Sequence, residues 1–198
     1  MDFTELVLAR RMTRSFTGEE VAESTLSKLF DLALRSPSAG KTQGTHFVVL
    51  RGEDKDAFWN CTLPKEKRAS FRWQQLLHAS VIVLPCVDPH AYVDRYSETD
   101  KATTGLGASV DAWPTPYWTI DGSFAVMTLL LAAQDVGLGA LFFAVFNGEE
   151  RLRQQLGIPD RIQLLGAVAL GHPTEKQEKG RSARRQRKSQ SEVVHHSR

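Results

Sequence analysis

The chain has 198 residues, 41% of them hydrophobic and 24% charged, with a formal net charge of +2. That balance suits one globular domain with a sizeable core and excludes a disordered polyelectrolyte, a collagen-like chain or a small disulfide scaffold. The longest uncharged apolar stretch, Phe124 to Ala133, is too short for a membrane span, and Asp2, Glu5 and Arg10 interrupt any apolar leader, so a cytoplasmic protein is expected.

The charge is unevenly spread. From His172 onward eight Lys or Arg face three Glu, which leaves 17 basic and 20 acidic groups on the rest of the chain. A basic tail on a mildly acidic body suits an anionic partner for the tail, and no nucleic-acid partner is expected. The two cysteines, Cys61 and Cys86, have no metal-ligand spacing and read as reduced thiols.

In chain order, Asp2 opens a short helix bearing Phe3, Leu6 and Val7, which runs into Arg10-Arg11-Met12-Thr13-Arg14. Ser24 is placed as the cap of a second helix, whose Leu26, Leu29, Phe30, Ala33 and Leu34 recur on one face. Ser36-Pro37-Ser38-Ala39-Gly40 stops it, because the residue before a proline is driven out of the helical region. His46 to Leu50 reads as a strand, and 53–79 as one or two amphipathic helices with scattered aromatics. Ser80 to Leu84 reads as a central buried strand. From Asp88 to Pro116 the pattern dissolves, as in a functional loop or lid. Ile120 to Val136 is apolar almost all round and predicts a core helix, closed by Gly137-Leu138-Gly139. A strand over Ala140 to Phe146, a helix over Glu149 to Leu156 and a last strand over Gln163 to Leu170 follow, before Gly171-His172-Pro173 turns into the tail. Helices around about four strands argue an α+β sandwich built on one sheet.

No hydrolytic constellation, phosphate loop or metal-binding cluster occurs, so a bound cofactor is expected to carry any reaction, and no acid or base side chain is assigned. Arg10, Arg11 and Arg14 form the strongest local signal. Three guanidiniums within five residues suit one dianion, since arginine makes fork-like bonds to phosphate oxygens. In the second candidate, Ser36 to Gln43, small residues admit a ring system while Ser38 and Gln43 offer hydrogen bonds. Each alone is more simply a solvated helix end or a loop.

Together with Gly137-Leu138-Gly139-Ala140 and Leu170-Gly171-His172-Pro173, these segments occur in an order that resembles the nitroreductase family from end to end. The resemblance implies a nitroreductase-like α+β fold: a three-layer sandwich whose central, mostly antiparallel sheet is flanked by helices, in an intertwined homodimer with FMN at the interface. It implies a single domain over 1–198, with 88–118 as substrate lid and 172–198 as C-terminal arm. By match, Arg10, Arg11, Met12 and Arg14 would surround the flavin phosphate and ribityl chain, with Arg185 and Arg187 reaching the phosphate from the tail. Pro37, Ser38, Ala39 and Gln43 would line the ring from one side, and Phe142, Phe143 and Ala144 would pass its reactive edge. Lys41, Trp113, Tyr117 and Trp118 are the expected substrate contacts. The implied activity is hydride transfer from NAD(P)H through FMN to a small acceptor such as a nitroaromatic, quinone, enone or deazaflavin-type compound.

Three departures stand out. Met12 replaces the family's serine, Lys41 its asparagine, and Gly44-Thr45 its Pro-Trp. They give the alternative, a non-enzymatic flavin- or deazaflavin-binding regulatory protein of the same fold, its support.

Overall fold

The computed structural model describes residues 2–178 and 180–197. Positions 1, 179 and 198, two of them in the basic tail, lie outside the described residues.

Helix α1 (Phe3–Ala9) is started by a reciprocal cap: the Asp2 side chain accepts from Glu5 N–H, and the Glu5 carboxylate accepts from Asp2 N–H. The chain then runs extended through the arginine segment to α2 (Glu23–Ala33). The cap of α2 is Ala22, which has no capping side chain, and not Ser24, which lies inside the first turn. Leu26, Leu29 and Ala33 are buried as expected, whereas Leu34 falls beyond the helix and is 56% exposed. Strand β1 (Thr45–Leu50) passes directly into α3 (Gly52–Thr62), then α4 (Lys65–Arg68) and a single turn at Gln74–His78. Strand β2 (Val81–Val87) is buried along its whole length.

The stretch after β2 is not patternless. Asp88 accepts from His90 N–H and Pro89 takes the first turn, which starts helix α5 (Pro89–Ser97). Helix α6 (Tyr117–Asp135) follows two short 3-10 turns, and β3 (Gly139–Phe143) ends three residues sooner than the sequence predicts. After α7 (Glu149–Leu156), the predicted last strand is broken at Leu165-Gly166 into β4 (Gln163–Leu164) and β5 (Ala167–Gly171). A turn at Arg181–Arg184 and a short helix α8 (Gln190–Val193) lie in the tail.

The sheet order is β1-β2-β5-β3, with β4 pairing further along β2, and every pairing is antiparallel. Alternation along β2 divides the core. Ile82, Leu84 and Cys86 pack with Phe58, Trp59 and Leu152 of α3 and α7, while Val81 and Val83 pack with Leu26, Leu29 and Leu129 of α2 and α6. The result is the expected three layers, with the sheet in the middle.

The arginine segment is tied into this frame as an extra edge. Thr13 N–H donates to Ala140 O at 2.9 Å, Thr17 N–H to His172 O at 3.0 Å, and Phe16 bridges Pro173. Gly139 makes the approach possible: a Cβ there would lie 2.6 Å from Thr13 Cγ2. The same layer leaves apolar side chains uncovered, with Phe3 73%, Leu8 67%, Phe124 46% and Met127 40% exposed.

Candidate functional site

Two cavities meet at Arg14. One, of about 390 Å³, lies between α3, the 71–76 segment and the end of β3, and is walled by Phe58, Trp59, Phe71, Trp73, Phe142, Phe143 and Ala144. The other, of about 360 Å³, lies between the arginine segment and the tail, and is lined by Arg11, Met12, Thr13, Gln177, Glu178, Gly180, Ser182 and Ala183, so that two arginines face one acid. Arg14 lines both.

The aromatic wall is ordered by ring contacts. Phe143 stacks parallel to Trp59 with centroids 6.1 Å apart and meets Phe58 edge-on at 6.2 Å. Trp73 carries two cations, the Arg72 guanidinium 4.4 Å and the Arg14 guanidinium 5.3 Å from its ring centre. Trp59 Nε1 is buried with no hydrogen-bond partner among the described residues. A buried N–H without an acceptor is costly, so this wall favours a flat ligand with acceptor atoms.

The cationic cavity is held by Gln177. Its Oε1 accepts from Arg14 N–H at 3.2 Å and Ser15 N–H at 3.3 Å, while its Nε2 donates to Ser15 O at 2.8 Å and Thr174 O at 3.0 Å. Arg14 Nη1 donates to Met12 O at 3.0 Å, and its guanidinium lies against Gly180 and over the Trp73 ring. Arg11 turns back on the end of α1, where Nη1 donates to the carbonyls of Leu8, Ala9 and Arg10. Arg10 lies outside the lining of this cavity, and its Nη1 is buried without a hydrogen-bond partner among the described residues. Met12 packs against both halves of the core. Arg185 and Arg187 are exposed on the tail and are not among the cavity's lining residues.

Pro37, Ser38 and Gln43 line a third, separate cavity of about 130 Å³, with Ser36 and Asp121. Their loop is tightly determined. Ser38 Oγ accepts from Gln43 N–H at 3.0 Å, and Ala39 N–H donates to Asp121 Oδ2 at 2.8 Å. Lys41 and Gln43 both sit at φ 56°, in the left-handed region that costs a side-chain-bearing residue about 1–2 kcal/mol each. Asp121 Oδ2 also accepts from Tyr92 Oη at 2.7 Å; burial, then this bond, pushes the Tyr92 phenol well above its ordinary range, so it remains a donor.

The expected substrate aromatics divide. Trp113 and Trp118 are buried against Tyr92, and their indole N–H groups donate to Leu106 O and Gln163 Oε1 at 3.0 Å each. Tyr117 is 43% exposed, and Lys41 is exposed. Burial pushes the Cys86 thiol up to about 11, so it is not a nucleophile near neutrality. Among the described residues no cluster of three or more His, Cys, Asp or Glu can hold a metal, and no helix is long and apolar enough to cross a membrane.

Sequence reasoning placed Phe142, Phe143 and Ala144 at the site but missed Gln177, Asp121 and the Phe58, Trp59, Phe71 and Trp73 half of the aromatic wall. Asp121 was findable as an acid near the start of an otherwise apolar helical run, and that half of the wall as the aromatics of 58–73. Gln177, among several Gln of a polar tail, carried no signal.

An apolar, aromatic cavity and a basic one that share Arg14 suit a flat ring system carrying an anionic tail. The model of the nitroreductase family matches residues 7–172. This chain belongs to the nitroreductase family. Among its relatives is an Archaeoglobus fulgidus protein with the provisional name NADH dehydrogenase/NAD(P)H nitroreductase, 28% identical over 88% of this chain and 87% of its own. Another, an FMN reductase [NAD(P)H] of Bacillus subtilis, is 26% identical over 93% of this chain and 69% of its own. A nitroreductase family protein of Streptococcus pneumoniae shares the fold at a TM-score of 0.76 and 21% identity, over 99% of this chain and 100% of that one.

Proposed function

We propose that this nitroreductase-family chain is an FMN-dependent oxidoreductase that passes a hydride from NAD(P)H to a small electron acceptor. The observation that carries the reading is Arg14, which lines both the aromatic and the cationic cavity. Arg14 and Arg11 would hold the phosphate, with Ser182 and the backbone around Gly180 closing over it. Trp59, Phe142, Phe143 and Ala144 would flank the ring, exclude water from it, and offer Trp59 Nε1 to a ring acceptor. When bound, FMN supplies the two-electron relay between nicotinamide and acceptor. The relative named for FMN reduction with NAD(P)H supports both the cofactor and the donor.

The protein works in this reading as a homodimer. The loop bearing Pro37, Ser38 and Gln43 lines a different cavity from Arg14, so each flavin would take the arginine slot of one copy and the loop of its partner. The uncovered Phe3, Leu8, Phe124 and Met127 give the copies an apolar surface to bury. Arg10, Arg185 and Arg187 stand apart from the slot within one copy, and belong to the site only through such an assembly.

The test is the visible spectrum of the purified protein, followed by anaerobic titration with NADH and NADPH. Bound FMN that bleaches with either donor and recolours on adding a nitroaromatic or quinone is expected. Bound flavin that neither donor bleaches would refute the activity.

A further inference from the structure

The loop over residues 38–43 would not keep its shape unaided. Lys41 and Gln43 hold left-handed backbone with full side chains, and such residues persist only where their surroundings over-determine them. Two fixed points supply that determination. On one side Ala39 N–H donates to Asp121 Oδ2 at 2.8 Å, deep in helix α6, where Asp121 is 4% exposed. On the other, Gly40 O accepts from Arg95 Nε at 2.8 Å. Arg95 is itself held by Asp100, which takes Nη1 and Nη2 at 2.7 Å each. Tyr92 and Arg95 lie on the same helix, α5, and Tyr92 Oη donates to the same Asp121 oxygen. Helix α5 therefore grips the loop at one end and the loop's anchor at the other.

We propose that Asp121 and Arg95 are positioning residues which hold loop 38–43 in its strained form and so set its contribution to flavin binding. The second half of this inference rests on the flavin reading above. The first half rests on geometry alone. It also gives the 88–100 segment a role distinct from closing over substrate: it is a buttress.

Lys41 makes the loop a reporter of its own order, because trypsin cuts after it and the side chain is exposed. The experiment follows tryptic cleavage after Lys41, with cleavage after exposed Lys28 in helix α2 as the internal reference, in full-length protein with FMN bound and after FMN removal. Variants are Asp121→Ala, Asp121→Asn, whose amide oxygen can still accept from Ala39 N–H, and Arg95→Met. Asp121→Ala and Arg95→Met are expected to speed cleavage at Lys41 tenfold or more relative to Lys28, and to weaken FMN binding tenfold or more. Asp121→Asn is expected to restore most of both. Should Asp121→Ala fail to fold, Arg95→Met reads the same quantity from a half-buried side chain outside the hydrophobic core. Unchanged relative cleavage at Lys41, or equal acceleration at both lysines, overturns the positioning role while leaving FMN binding as evidence for the function. Variants that show the Lys41 effect, in a protein whose wild type binds no FMN, overturn the flavin half instead.

Discussion

Arg14→Ala tests the slot at its hinge. The side chain is half-buried, donates through Nη1 to Met12 O at 3.0 Å, lies 5.3 Å from the Trp73 ring centre, and lines both cavities. Losing one charge-assisted bond to a phosphate costs about 1.5–3 kcal/mol. At about 1.4 kcal/mol per decade, that weakens FMN binding roughly ten- to 150-fold. The loss of packing on Trp73 adds about 0.5–1 kcal/mol, but it falls on any ligand of the aromatic cavity. Riboflavin, which has the ring and no phosphate, separates the two. Dissociation constants from quenching of flavin fluorescence should show Arg14→Ala losing most of the preference for FMN over riboflavin, with a small change for riboflavin itself. Arg14→Lys should keep part of the preference, because a point charge remains without the fork. An equal loss for both flavins, or an unchanged FMN constant, would refute the assignment of Arg14 to the phosphate.

Gly148→Ala should be among the most damaging single changes, because φ there is +70° and a Cβ would stand 2.1 Å from Cys61 O, a backbone atom. A loss of about 3 kcal/mol or more is expected in urea unfolding, and a wild-type midpoint would contradict it. Cys86 has its folded pKa raised from 9.0 to about 11, so its contribution to stability is intact below pH 9 and is lost as pH rises toward 11. Native protein at pH 8 should therefore leave Cys86 unlabelled by iodoacetamide, and rapid alkylation before unfolding would count against the burial. Removing residues 183–198 should lower both dimer affinity and FMN retention. A truncated chain that stays yellow at twice its monomer mass in light scattering would make that arm dispensable.

The sheet and its helices were legible because burial imposes a period. Val81 to Val87 lies under both layers and reads as an unbroken apolar run, and Leu26, Leu29 and Ala33 return every third or fourth residue. What escaped was held by single polar bonds, which leave no period. Helix α5 mixes His90, Asp94 and Arg95 with its aromatics, and only Asp88-Pro89, a cap followed by a first-turn proline, announced it. Ser24 suited a cap by type, yet the chain is still extended at Ala22 and already helical at Glu23. The arginines were found by composition, but their directions were not: Arg11 turns Nη1 onto its own helix end while lining only the cationic cavity, and Arg14 lines both cavities beside Gln177 and Trp73, which lie some distance away in sequence.

The tail shows the same difference between composition and contact. Its charge suggests one solvated arm, but the structure divides it. The first part is knit to the body: Thr174 N–H donates to Ser15 O at 3.1 Å, and Gln177 bonds to both faces of the arginine segment. Backbone ordering costs about 1–2 kcal/mol per residue, and here each bond made also fixes the cationic cavity, so order in the tail and shape in the site are one quantity. Beyond Arg184 the described residues are exposed, with Val193 at 53% and Val194 at 42%, and the Ser189–Glu192 cap starts α8. A segment with that little burial does not offset its own ordering within one copy. Its apolar pair and its arginines acquire a use only against a second surface, and the uncovered apolar residues of α1 and α6 are where this chain offers one. On the function proposed above, the dimer and the completed phosphate site would stand or fall together.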